Sequence, residues 1–91
     1  MGKPFNTSEE NKTLMALGFV LIKVSPRYER EVYEEIASLK EVHELYPLFG
    51  EYDLIAKVVV RDFEELSDVV VNKIRTVKGV IETKTLTGAK F

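Results

Sequence analysis

VHELYPLFGEYDLIAKVVV, residues 42–60, sets two runs of strand formers back to back with no helix between them. Val42 to Phe49 reads as one strand and Tyr52 to Val60 as the next. They are separated by Gly50-Glu51, where a positive φ on the glycine allows a tight hairpin. Pro47 has no N–H for a ladder bond, so it marks an edge position or a bulge. Two consecutive strands at the centre of a short chain suggest a split β-α-β arrangement, if a strand and a helix stand on each side of them.

Both flanks supply these elements. Upstream, Met15 to Val24 is rich in β-formers and apolar on both faces, which implies cover on both sides. Ser25-Pro26 predicts a helix start, with Ser25 as N-cap and Pro26 at the first helical position. Tyr28, Val32, Ile36 and Leu39 then recur at helical spacing. Arg27, Glu29, Arg30, Glu31, Glu34 and Glu35 mostly fall off that stripe and read as a solvated face. Downstream, Asp62 with Glu65 predicts a capping box. Leu66, Val69, Val70, Ile74 and Val77 line one helical face, which Lys78-Gly79 ends. Val80 to Thr87 is the last strand, and Gly88 to Phe91 trails away.

The order is β-α-β-β-α-β, an α+β ferredoxin-like fold with both helices on one face of a four-stranded antiparallel sheet. On the third strand Leu54, Ala56, Val58 and Val60 are expected to meet the helices. Ile55 and Val59, beside Asp53 and Lys57, then face the other way. An apolar face left in water predicts that two copies pair sheet to sheet, as a dimeric α/β barrel.

Composition narrows the function. Ninety-one residues make one domain, expected over residues 14–91, with the polar, aperiodic residues 1–13 as a flexible tail. A hydrophobic share of 45% suggests burial between subunits as well as within one. Thirteen basic against fifteen acidic residues give no basic excess to neutralise phosphates, which disfavours direct nucleic-acid binding. The absence of cysteine excludes disulfides, thiolate catalysis and cysteine-ligated metals. Leu14 to Ile22 is the longest apolar stretch and is too short to span a membrane. No signal-peptide pattern opens the chain, so a soluble cytoplasmic protein is the expectation. The charged share of 31% without Cys or Trp hints at a heat-loving source.

Three groups of residues invite chemistry. In Gly50-Glu51-Tyr52-Asp53, glycine lets backbone amides approach a ligand, Tyr52 offers a flat wall and a hydroxyl, and Asp53 can accept from an ammonium group. The same residues also suit an ordinary hairpin with a surface acid and a packing tyrosine. Thr83, Thr85 and Thr87 put three hydroxyls on one side of the last strand, as a ligand edge or as plain β-propensity. Turn and threonines together suit the polar edge of a small-ligand pocket, with reach between them across a subunit boundary. His43 is the only histidine. A regular strand puts it on one face with Glu41 and Leu45, and Glu44 on the other, so it reads as structural or solvated. There is no Ser-His-Asp set, phosphate loop or GxGxxG, and no catalytic apparatus or cofactor is expected.

The stretch from Val42 to Thr85 resembles the effector-binding (RAM) domain of the feast/famine Lrp/AsnC transcription regulators. The resemblance rests on Val42 in a V-x-E-L-Y strand, Gly50-x-Tyr52-Asp53-Leu54, Asp62 opening the second helix, and Gly79-Val80-x-x-Thr83-x-Thr85. It implies a dimeric barrel of face-to-face sheets, often assembled into octamers, that binds amino acids where dimers meet. By position, Gly50 and Glu51 would offer backbone contacts, Asp53 would hold the ligand's amino group, and Thr83 and Thr85 would contribute to the pocket. Full-length regulators add a helix-turn-helix domain, which a thirteen-residue polar stretch cannot supply. The resemblance thus suggests a stand-alone amino-acid-sensing module that leaves DNA to full-length relatives and tunes them in mixed oligomers. Two other roles suit the scaffold: a small monooxygenase or haem-handling enzyme, which would need His43 or Asp53 inside a large apolar cavity, or a ligand-free assembly module.

Overall fold

Strict alternation decides which side of each strand is dry. The computed structural model describes residues 15–88; the tail expected at residues 1–13 lies outside the described residues. In β1 (Ala16–Val24) every second residue from Ala16 to Val24 is buried, and in β3 (Leu54–Val60) the same holds for Leu54, Ala56, Val58 and Val60. Both strands bury these side chains against α1 (Glu29–Ala37) and α2 (Phe63–Val69). Val32 and Ile36 enter the core from α1, and Leu66, Val69, Val70, Ile74 and Val77 from α2 and its continuation. Each such Val or Ile side chain contributes about 1.5–3 kcal/mol by leaving water, an upper figure because unfolded chains already bury some surface.

β2 (Val42–Pro47) and β4 (Val80–Thr87) complete an antiparallel sheet in the order β2-β3-β1-β4. The expected fold is therefore present, and Pro47 stands at the end of an edge strand. The predicted helix-facing set on β3 is buried, and Ile55, Lys57 and Val59 lie on the outer face, but Asp53, expected beside them, precedes the strand and turns to the helix side.

Local details depart from the sequence reading. The hairpin is wider than expected: the strands stop at Pro47 and resume at Leu54. The intervening loop, residues 48–53, is closed by the Leu48 N–H donating to the Asp53 carbonyl at 2.8 Å. Pro47 has no N–H with which to carry the ladder further. Gly50 sits in that loop at φ +120°. Ser25 occupies an N-cap position but makes no side-chain cap bond, because the first turn (Pro26–Tyr28) is a 3₁₀ turn. Its amide instead donates to the Gly79 carbonyl at 2.8 Å.

The second helix changes pitch. Beyond Val69 it becomes a π turn over Val70–Ile74, with the Arg75 N–H reaching the Val70 carbonyl at 2.9 Å. The wider turn keeps Val70, Ile74 and Val77 on the buried side. The capping box is half as predicted. The Glu65 N–H donates to Asp62 Oδ1 at 2.8 Å, but Glu65 Oε1 accepts from the Arg61 amide, one residue earlier than a reciprocal box requires.

Two bulges shift register. One falls at His43, where Val42 pairs with Val58 but Glu44 pairs with Lys57. Val42 and Leu45, three residues apart, therefore both pack on the core, and the expected shared face of Glu41, His43 and Leu45 is broken. The other leaves Ile81 as an extra residue of β4 opposite the Lys23–Val24 step. On the outer face Leu17, Phe19, Leu21, Ile55, Val59 and Leu86 have no helix over them among the described residues.

Gly79 tests the helix-to-strand connection. Its φ is +104°, and an added Cβ would overlap Tyr28 Cβ. Gly50 shares a positive φ but has nothing within 4 Å of that position. Gly79→Ala is expected to cost about 2–4 kcal/mol in urea unfolding, strain and overpacking together. Gly50→Ala should cost about 1–2 kcal/mol. Equal costs would show that the Tyr28 contact relaxes freely.

Candidate functional site

Asp53 is the most constrained of the candidate residues. Its amide donates to the Ile22 carbonyl at 2.8 Å, in ladder position against β1. Its carboxylate Oδ2 accepts the Val24 N–H at 2.7 Å. Val24 lies two residues beyond Ile22, so that N–H faces the same side of β1. The aspartate side chain thus continues the β1–β3 ladder one step past the end of β3. Charge-assisted bonds of this kind are the stronger ones.

The same residue lines a cleft of about 570 Å³ on the helix side. Val24, Asp53 and Leu54 form its sheet wall, Pro47, Leu48 and Phe49 its loop wall, and Glu29, Arg30 and Tyr33 its α1 wall. Phe49 at the loop tip is fully exposed. Glu29, Arg30 and Tyr33 share a face of α1 by their spacing. Sequence reading placed Glu29 and Arg30 on a solvated helix face, because the cleft exists only where α1 meets a loop far along the chain. Tyr33, an aromatic off the buried stripe, was the one signal pointing there.

Gly50 and Glu51 are exposed in the loop. Tyr52 goes to the other face of the sheet. Its hydroxyl makes a long contact, 3.4 Å, with Glu82 Oε2, and the Lys23 ammonium sits 5.7 Å from its ring centroid. Partial burial, followed by the charges of Glu82 and Glu51, pushes the Tyr52 hydroxyl above its ordinary pKa.

The threonines face the helices. Thr83 pairs with Ile22, Thr85 with Val20 and Thr87 with Gly18, all inward positions of β1. Thr85 and Thr87 edge a shallow groove with Phe63, Leu66, Ser67, Val70 and Val71. Since β1 separates β3 from β4, one chain does not bring the threonines to the Asp53 turn.

His43 is exposed at its bulge, in an open depression with Met15, Lys40, Glu41, Val59, Val60, Arg61 and Glu65. Among the described residues no group of three or more His, Asp or Glu side chains could hold a metal ion, and no helix is long and apolar enough to cross a membrane.

Glu41 was not singled out as a buried group, yet it is only 7% exposed. Lys73, on the π turn, donates to its Oε2 at 2.6 Å. Its Oε1 is buried with no hydrogen-bond partner among the described residues. The Lys73 bond holds the Glu41 carboxyl below its ordinary pKa, against burial that pushes it up.

A model of the Lrp/AsnC ligand binding domain matches residues 17–87. The uncharacterized HTH-type transcriptional regulator PH1916 of Pyrococcus horikoshii is 38% identical over 71 residues, 75% of this chain and 47% of that protein. The chain spans about half the length of the curated relatives it matches. The crystal structure of TTHA0845 from Thermus thermophilus superposes with a TM-score of 0.79 at 39% identity, over 84% of this chain and 95% of that one. The transcriptional regulator NMB0573 of Neisseria meningitidis, solved as an L-Met complex, shares the fold at 18% identity with a TM-score of 0.80, over 96% of this chain and 58% of that one. Relatives from Pyrococcus and Thermus accord with the heat-loving source that composition suggested.

The Glu41–Lys73 pair gives a pH signature. A carboxyl whose pKa is lowered by folding adds stability that is present above its unfolded pKa and is lost as pH falls through the lowered folded value. In Lys73→Met the largest lowering partner is gone, and burial is opposed only by the Glu41 backbone hydrogen bond and the charge of Lys40. The stability gap between wild type and Lys73→Met should therefore be widest near neutral pH. It should close in acid, where Glu41 is protonated in both proteins. Urea midpoints across that range check it; a gap independent of pH would assign the effect of Lys73 to packing.

Proposed function

The chain belongs to the Lrp/AsnC ligand-binding domain family, and from that premise we propose that it is an amino-acid-sensing module that works as a face-to-face dimer or a larger assembly. The family is one of ligand-binding domains of transcription regulators, not of enzymes. One observation carries the ligand reading: a half-buried carboxylate, Asp53, at the wall of an open cleft beside a loop that turns on a positive-φ glycine. An acid so placed can receive an ammonium group while the loop amides remain available to an anion. A regulator of the same fold solved with L-Met is consistent with an amino acid as the ligand. In this reading Asp53 faces the ligand, Gly50 and Glu51 offer the loop backbone beside it, and Tyr52, turned to the other face of the sheet, backs the turn without lining the cleft. Thr83 and Thr85 reach it only from a neighbouring subunit. The regulatory output passes to full-length relatives by co-assembly.

The dimer half of the proposal rests on the outer sheet face. Leu17, Phe19, Leu21, Ile55 and Val59 form its apolar centre, and the four-stranded sheet offers it no cover of its own. Contiguous apolar surface of this kind marks an association site.

Asp53 has two duties, so its test has to separate them. Asp53→Asn keeps an oxygen for the Val24 N–H and removes the charge an ammonium would need. In a thermal-shift screen of the twenty amino acids, a ligand at a hundred times its dissociation constant should stabilise the parent by about 2.7 kcal/mol. The increment should vanish in Asp53→Asn while the unliganded midpoint moves less than in Asp53→Ala. No shift with any amino acid would leave the assembly role as the better reading. Separately, Phe19→Glu should convert the protein to a monomer in light scattering, since it puts a charge at the centre of the apolar face. A Phe19→Glu chain that stays dimeric would place the interface elsewhere.

A further inference from the structure

The cleft beside Asp53 carries more charge than a neutral amino acid requires. An α-amino acid presents one ammonium and one carboxylate, so a site that grips both needs one acid and one base. Asp53 is the acid on the sheet wall. Arg30, on the α1 wall, is a base whose planar fork matches a carboxylate in a bidentate grip. Tyr33 and Phe49 give the cleft aromatic sides.

Glu29 is then a second acid, with no base in the lining left to answer it. Glu29 and Arg30, adjacent on α1, form no direct ion pair with each other among the described residues. Among the described residues the ion pairs are Lys23–Glu82, Lys57–Glu44, Arg61–Glu65 and Lys73–Glu41, and none draws on Glu29, Arg30 or Asp53. The cleft volume of about 570 Å³ falls within the range of about 300–1,000 Å³ found for small-molecule pockets.

Resting on the sensing reading above, we infer that this cleft takes an α-amino acid with a positively charged side chain, Arg30 holding the ligand's carboxylate and Glu29 its side-chain cation. Both residues project from the first turn of a helix whose buried face is Val32 and Ile36. Changing either leaves the core untouched.

L-lysine and L-norleucine differ by the side-chain ammonium alone, which makes them the probes. Calorimetric titration of the full chain should show L-lysine binding about tenfold tighter, the worth of one charge-assisted bond. Glu29→Gln should collapse that ratio toward one by weakening L-lysine. Arg30→Gln should weaken both ligands by about tenfold, through the carboxylate they share. Unfolding midpoints equal to the parent's would show that both variants fold. L-norleucine binding as tightly as L-lysine, or a lysine preference that survives Glu29→Gln, overturns the inference. The sensing reading would still stand if binding then depended on Asp53. Failure of both probes to bind the parent also overturns the inference, and the sensing reading falls with it only if the twenty-amino-acid screen is silent too.

Discussion

A four-stranded sheet has two faces, and the described residues carry helices for one. Everything else in the structure follows from how β1 handles that shortage. It sits between β3 and β4, with the small and β-branched residues Ala16, Gly18, Val20, Ile22 and Val24 turned toward the helices. Leu17, Phe19 and Leu21 must then point away from them, because strand side chains alternate. The inner side chains make a core dense enough for a small domain, and the outer ones make a surface that no described helix covers. The association proposed above would then be a consequence of the same alternation that builds the core. Around the apolar centre lie polar pairs, Lys23 with Glu82 and Lys57 with Glu44, at 3.8 and 3.5 Å. Exposed pairs at such distances add little attraction in water. In the proposed dimer their effect would be on register, since a misaligned partner would set like charges together.

The element order was legible because its signals are local. Two helical stripes, two glycines at turns and a capping aspartate stand in the chain order in which they act. Even the side of the sheet that each residue from Leu54 to Val60 faces could be read, since period two survives along a regular strand, whereas Tyr52 and Asp53, before the strand begins, reverse it. The reading failed where a single residue changes the period. The bulge at His43 moves Leu45 inward and Glu44 outward against the alternation counted from Val42. The π turn at Val70–Ile74 does the same for a helix. A bulge is decided by what the partner strand offers, and a π turn by how a helix must seat on its sheet. Neither is written in the residues that adopt it.

The candidate site divides in the same way. Asp53 was legible as a polar residue at a turn, and Gly50 as its hinge. The role of Asp53 in finishing the β1–β3 ladder was not, since it depends on β1 ending where β3 begins. The α1 wall of the cleft was illegible for a similar reason. Glu29 and Arg30 look like any solvated pair until the loop at residues 48–53 is known to stand opposite them. Glu41 presents the converse case. A glutamate in a polar stretch reads as exposed, yet the bulge beside it and Lys73 on the π turn combine to bury it. Two irregularities, each invisible in sequence, produce one ordered ion pair.

The double duty proposed for Asp53 would link the cleft to the sheet. A carboxylate wholly given to a ligand would be free to adjust to it, whereas this one is held by the Val24 N–H at 2.7 Å. Holding it there costs flexibility and supplies orientation, because a pre-set acceptor loses less entropy when a ligand arrives. Val24 closes β1 at the Ile81 bulge, and β1 is the strand that carries Phe19 on the outer face. The cleft and the apolar face are therefore opposite sides of one strand, joined through its backbone. Any ligand that tightens the end of β1 acts on the element that two subunits would share. Reciprocity then requires that assembly change ligand affinity by the same factor.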